Sequence, residues 1–143
     1  MILTVRPLKA WYEWYPDYAY DFSGISINSG DTIKATVVAY STTSGVATIE
    51  NLTTGETATQ DLTSNYALCE QDAEWIVEDF EEDGGLVPFA NFGTVTFYDA
   101  SASGPGGTYT PCDGNIIDIE QNGKVLTDVV IDNGCSNVTV QYV

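Results

Sequence analysis

Histidine is absent from this chain and bases are scarce: 143 residues carry 4 Lys and Arg against 21 Asp and Glu, a formal net charge of -17. Without His there is no Ser-His-Asp or Cys-His nucleophilic system, and most zinc sites lose a ligand. So few bases argue against nucleic acid, whose phosphates demand Lys and Arg, and against anionic membrane surfaces. No apolar run is long enough to span a membrane as a helix. The 3 cysteines, Cys69, Cys112 and Cys135, have no C-x-x-C spacing of the kind that holds a metal. The acidic run Glu78–Asp83 lacks the regular oxygen-ligand loop of a calcium site, so neither metal nor cofactor is expected. Chemistry in this chain must come from carboxylates, amides, hydroxyls or tyrosines. A surface this acidic repels itself near neutral pH and is relieved by protonation, which suits an acidic medium.

What the chain does have is strand pattern and turn chemistry. Alternation rich in Val, Ile, Thr, Tyr and Phe predicts strands at Thr32–Tyr40, Val46–Glu50, Thr94–Tyr98, Asn115–Gln121, Lys124–Ile131 and Val138–Val143. Turns are expected at Asn28–Asp31, Thr53–Glu56, Asn122-Gly123 and Asn133-Gly134. Asn122-Gly123, between two alternating runs, is the strongest hairpin signal and predicts a type I′ turn. Ser101–Gly107 reads as a flexible loop. The length predicts one domain with its own core, and many short strands point to an all-β sandwich. A disulfide between Cys112 and Cys135, both in turn-rich contexts, would staple the C-terminal third and leave Cys69 over. Asn51-Leu52-Thr53 and Asn137-Val138-Thr139 are glycosylation acceptors by pattern, which fits secretion. Met1–Lys9, interrupted by Pro7, does not read as a signal peptide.

Two stretches carry the chemistry. Ala73–Glu82 interleaves carboxylates with Trp75, Ile76, Val77 and Phe80. A carboxylate enclosed by large apolar groups is costly to ionise, which suits a general acid or base in acidic solution. Local preference over this stretch is for helix, with Glu74, Glu78, Glu81 and Glu82 on a solvated face. As a strand, Glu74, Ile76, Glu78 and Phe80 share one face, while Trp75, Val77, Asp79 and Glu81 share the other. That places Glu78 mid-sheet. Pattern alone leaves both readings open. The second stretch, Trp11-Tyr12-Glu13-Trp14-Tyr15-Pro16, is an aromatic block with one acid inside it.

The blocks Trp11–Pro16, Asp21–Ile25, Glu50–Gly55, Ala73–Glu82 and Val87–Ala90, in this order, closely resemble the eqolisins, the fungal-type glutamic peptidases. The resemblance covers residues 10–143 and leaves 1–9 as a non-family segment. It implies a concanavalin-like antiparallel β-sandwich of two packed sheets with a groove, and it selects the strand reading of Ala73–Glu82. It also implies secretion and acid endopeptidase activity on polypeptide substrates. The family's catalytic Glu falls on Glu78, which would activate water for attack on the scissile carbonyl. Glu81 follows as a substrate-side or supporting acid, and Glu13, Trp14 and Tyr15 lie in the block bordering the groove.

The family's second catalytic group, a Gln whose amide donates to the oxyanion, lies upstream of the aromatic block. No Gln precedes Gln60, and none of Gln60, Gln71, Gln121 and Gln141 sits in a matching motif. The family partner of Cys69 belongs to the same upstream portion. The chain is therefore expected to be an N-terminally truncated portion, paired with a missing chain or self-associating through bare sheet edges. Other readings are an inactive remnant, and a carbohydrate-binding sandwich that stacks sugars on Trp11, Tyr12, Trp14 and Tyr15.

Overall fold

The structure, a computed structural model, describes residues 1–6, 9–82 and 84–143, with the backbone alone for Ile2–Arg6 and Glu81–Glu82. Among the described residues every ladder is antiparallel, and the helical content is a single 3-10 turn at Pro111–Asp113. The chain forms two compact units, Met1–Asp72 and Ala73–Val143.

In the first unit, β1 (Ile2–Arg6), β2 (Lys9–Glu13) and β3 (Tyr20–Asp21) make one sheet in that order. A second sheet joins β4 (Ile33–Ser41), β5 (Ser44–Asn51) and β6 (Thr57–Thr63). The inward positions of β5 are Gly45, Ala47, Ile49 and Asn51, alternating with half-buried residues as a strand's two-residue period requires. Ala10 of β2 meets Ile49 of β5, Ala58 of β6 and Ile27 in one apolar cluster, sealed by Phe22, Ile25 and Ile33. That cluster binds the two sheets face to face. The outer strand β4 stays exposed from Lys34 onward, including Val37, Val38 and Tyr40.

Asn51 ends β5 and is 1% exposed. Its Nδ2 donates to the Ser26 carbonyl at 2.9 Å and to Asp31 Oδ2 at 2.8 Å. Its Oδ1 accepts from the Thr53 and Thr54 amides at 3.0 and 3.1 Å. Every hydrogen-bonding position of this amide that the turn needs is occupied internally. The folded chain therefore does not offer Asn51 as a glycan acceptor, contrary to the tripeptide pattern.

The second unit contains β7 (Glu81–Glu82), β8 (Gly85–Leu86), β9 (Thr94–Phe97), β10 (Ala102–Gly104), β11 (Gly107–Tyr109), β12 (Glu120–Gln121), β13 (Lys124–Val125), β14 (Thr127–Asp132) and β15 (Asn137–Tyr142). Its sheet runs β14-β15-β9, and β7–β8, β10–β11 and β12–β13 are hairpins. Ala100, Val138 and Val140 form the core, with Trp75, Val77, Phe92, Phe97 and Val129 packed on it. Cys112 and Cys135 are bridged, and Cys69 is free and exposed.

Several sequence expectations are revised. The loop expected at Ser101–Gly107 is the tip of a hairpin, because Ser103 and Thr108 pair across Pro105-Gly106. Of Asn115–Gln121, Glu120 and Gln121 alone join a ladder. Lys124–Ile131 breaks at buried Leu126, whose N–H turns to the Ile119 carbonyl.

Candidate active site

Ala73–Phe80 is extended but enters no ladder among the described residues, so Glu78 is not mid-sheet as the strand reading placed it. The reason lies in how the segment divides its side chains. Trp75 and Val77 pack onto the Ala100–Val138–Val140 core, while Glu74, Ile76, Glu78 and Phe80 face outward. The two-residue period is that of a strand, and it excludes the helix alternative. The same parity puts Glu78 on the exposed side. Its apolar neighbours flank it rather than enclose it, so the enclosure expected from composition is not present.

Glu78 instead lines an open cavity of about 520 Å³ with Val77, Phe80, Val87, Pro88, Phe89 and neighbouring residues. The wall from Val87 onward is fixed by aromatic packing. Phe89 and Phe92 meet edge to face at 5.7 Å, and Tyr142 of β15 lies 6.1 and 6.2 Å from them. Below it, the Val87 N–H donates to the Phe80 carbonyl at 3.2 Å, and the Tyr142 N–H donates to Gly93 at 2.9 Å. A carboxylate thus sits on the rim of a mostly apolar cavity. Such a site can take an apolar side chain of a polymer while the acid handles a proton.

Gln121 is the residue that sequence reasoning passed over. Its Nε2 lies 3.1 and 3.0 Å from the two carboxylate oxygens of Asp79 and 3.0 Å from the Val87 carbonyl. The available signal was its place immediately before the Asn122-Gly123 turn. A two-residue hairpin fixes the direction of the residues that flank it. Asn122 and Gly123 have φ of 53° and 76°, as a type I′ turn requires.

Glu13, Trp14 and Tyr15 lie apart from this cavity in the chain. Glu13 ends β2 and is half-buried, opposite Ile2. Trp14 is 3% exposed, and its indole N–H donates to the Tyr66 carbonyl at 2.8 Å. A buried ring with its donor committed cannot stack a sugar, so the carbohydrate platform loses its central member. Tyr15, beside the cis Tyr15–Pro16 peptide, is 73% exposed. Trp14 lines a second cavity, of about 230 Å³, with Asp17, Tyr18, Tyr20, Leu62 and Thr63. Ser64 ties this region together, donating to Asp17 at 2.6 Å and accepting from the Tyr66 amide at 3.1 Å. Glu13, Trp14 and Tyr15 belong to the first unit, and Glu78 belongs to the second. The Glu81 side chain lies outside the described part of the structure, although its backbone pairs with Leu86.

Comparison with known proteins matches residues 6–142 to the model of the Peptidase A4 family. Aspergillopepsin-2 of Aspergillus niger is 56% identical over 136 residues, which cover 94% of this chain and 48% of that protein. Scytalidopepsin B of Scytalidium lignicola is 42% identical over 143 residues, covering 94% of this chain and 54% of that protein. The chain spans about half the length of these curated relatives. The crystal structure of aspergilloglutamic peptidase from Aspergillus niger superposes with a TM-score of 0.86 at 52% identity, over 99% of this chain and 85% of that one.

Proposed function

This chain belongs to the Peptidase A4 family, the glutamic peptidases, and from that premise we propose that it supplies the carboxylate half of an acid-acting endopeptidase site, with Glu78 as the general base. The observation that carries the proposal is the position of Glu78 on the rim of an open apolar cavity. In this reading a polypeptide lies across the second unit with an apolar side chain in the cavity. Glu78 takes a proton from water as the water attacks the scissile carbonyl, then delivers it to the leaving amine. The developing oxyanion requires a fixed donor, and an uncharged amide provides one at any pH. None of the four Gln residues of this chain lies in the family's motif for that amide. We therefore assign the donor to a group outside these motifs, supplied by a further segment or a second chain. Glu13, Trp14, Tyr15 and Glu81 remain proposed substrate-side positions, and a secreted setting accords with the Cys112–Cys135 disulfide.

The test is hydrolysis of an unfolded protein at about pH 3 with pepstatin present, comparing the chain with Glu78→Gln after both are shown to fold. Loss of general-base catalysis is expected to slow the reaction by roughly 10²- to 10⁴-fold. Equal rates in the two proteins would remove Glu78 from the chemistry. A folded chain with no activity until an N-terminal fragment of a relative is added would place the donor on another segment.

A further inference from the structure

We propose that Gln121 is a positioning residue that holds the Glu78 segment and the Val87 wall of the cavity in register. The inference rests on the reading of Glu78 as the general base. A side-chain amide has two N–H donors. Here one is shared between the two oxygens of Asp79, at 3.1 and 3.0 Å, and the other goes to the Val87 carbonyl at 3.0 Å. This fixes the amide's orientation, because the reversed group would set its oxygen against three acceptors. Asp79 directly follows Glu78 in the chain, and Val87 lines the same cavity as Glu78. The Val87 N–H in turn donates to the Phe80 carbonyl at 3.2 Å. One side chain and one backbone bond therefore tie residues 79 and 80 to residue 87.

Ala73–Phe80 needs this support because it has no ladder of its own among the described residues. Gln121 can supply it because its own strand is held. It pairs with Lys124 across the Asn122-Gly123 turn, and the Leu126 N–H closes the hairpin onto Ile119 at 2.8 Å. The same bonds assign Gln121 a second property: both donors are used, so it is not the oxyanion donor that the chemistry requires. A general base displaced by about 1 Å loses on the order of 10²-fold in rate. That is the scale on which such support acts.

The experiment compares the chain with Gln121→Met, Gln121→Glu, Asp79→Asn and Glu78→Gln. Methionine keeps length and removes both donors. Glutamate keeps shape and faces Asp79 and the Val87 carbonyl with acceptors. Asparagine at 79 keeps one acceptor for Gln121. Native-state hydrogen exchange of the Val87 amide is expected to quicken at least roughly tenfold in Gln121→Met and Gln121→Glu, with an intermediate value in Asp79→Asn. Amides of β14 and β15 are expected to be unchanged. In the acid hydrolysis assay, supplemented with the N-terminal fragment where activity requires it, Gln121→Met is expected to lower kcat roughly ten- to a hundredfold with KM little altered. Unchanged Val87 exchange in Gln121→Met overturns the proposal, as does a kcat loss that merely follows a fall in Tm. If the wild type and Glu78→Gln hydrolyse equally, the reading of Glu78 fails by itself, and the exchange result still decides whether Gln121 ties the two segments.

Discussion

Replacing Asn51 with alanine removes four hydrogen bonds at once, two donated to Ser26 and Asp31 and two accepted from Thr53 and Thr54. The three to uncharged backbone groups are worth about 1 kcal/mol each in net terms. Ser26, Thr53 and Thr54 are exposed, so water recovers part of that value. The bond to the Asp31 carboxylate adds to the loss. A destabilisation of about 2–3 kcal/mol follows, equivalent to a fall in Tm of roughly 10 °C for a chain of this size. Urea denaturation followed by far-UV circular dichroism measures it directly.

Asn51→Asp sharpens the test. It preserves shape, but sets a second carboxylate where Nδ2 lay 2.8 Å from Asp31 Oδ2. Two carboxylates sharing this buried site either repel when both are ionised or must take up a proton, and acidification supplies that proton. The excess cost of Asn51→Asp over Asn51→Ala should therefore shrink on acidification. An Asn51→Ala cost below about 1 kcal/mol, or an excess that does not depend on pH, would refute the reasoning.

Asp113 should show the opposite dependence in the wild type. The Thr110 backbone N–H, and then its hydroxyl, hold the Asp113 carboxyl below the ordinary 3.8, as the Asn28 N–H and the Asn51 amide do for Asp31. A lowered folded-state pKa gives stability that is present above 3.8 and is lost as pH falls through the folded value. Asp113→Asn is expected to flatten the Tm profile below about pH 4, read by thermal scans across the acid range. Removing the Cys112–Cys135 bridge by a double Ser substitution opens a loop with a sequence separation of 23. It should cost about 3 kcal/mol, seen as a fall in the urea midpoint of the unoxidisable variant relative to the wild type. Trp14→Phe leaves the Tyr66 carbonyl without its indole donor. A loss of about 1 kcal/mol is expected by urea denaturation, and an unchanged midpoint would mean that water replaces the bond at no cost.

The sequence was most readable where one residue's pattern decided its own structure. Ser44–Asn51 and Asn137–Tyr142 alternate more and less buried positions and are strands, and Ile33–Ser41 is a strand although it is exposed from Lys34 onward. Asn122-Gly123 adopts the left-handed angles that its turn demands. The motif around Glu78 was legible through family resemblance, whereas its surroundings were not. Composition suggested that Trp75, Val77 and Phe80 would enclose the acid, but strand parity sends Trp75 and Val77 to the core and Glu78 to the rim. Trp14 could not be assigned from the aromatic block alone, since packing partners such as Tyr66 are 52 residues away. Gln121 and Asp79 are separated by 42 residues. No local pattern announces that pair, because it depends on where a hairpin is folded. Thr57–Thr63 went unread because β6 mixes Thr, Gln and Asp with few apolar residues, and it pairs because β5 is already in place.

The occupied amide of Asn51 also turns a processing signal into a matter of timing. A glycosyltransferase needs the same nitrogen that the fold places 2.9 Å from the Ser26 carbonyl. Modification and folding therefore compete for one atom. If the chain folds first, the acceptor is withdrawn, and if the transferase acts first, the turn after β5 cannot close around a sugar. In a glycosylating host the product should divide into two pools, a soluble one bare at Asn51 and an aggregated one carrying the glycan. Mass spectrometry of Asn51 in the two fractions measures the ratio of the two rates, and Asn51 sugar in the soluble pool would show that the turn tolerates it.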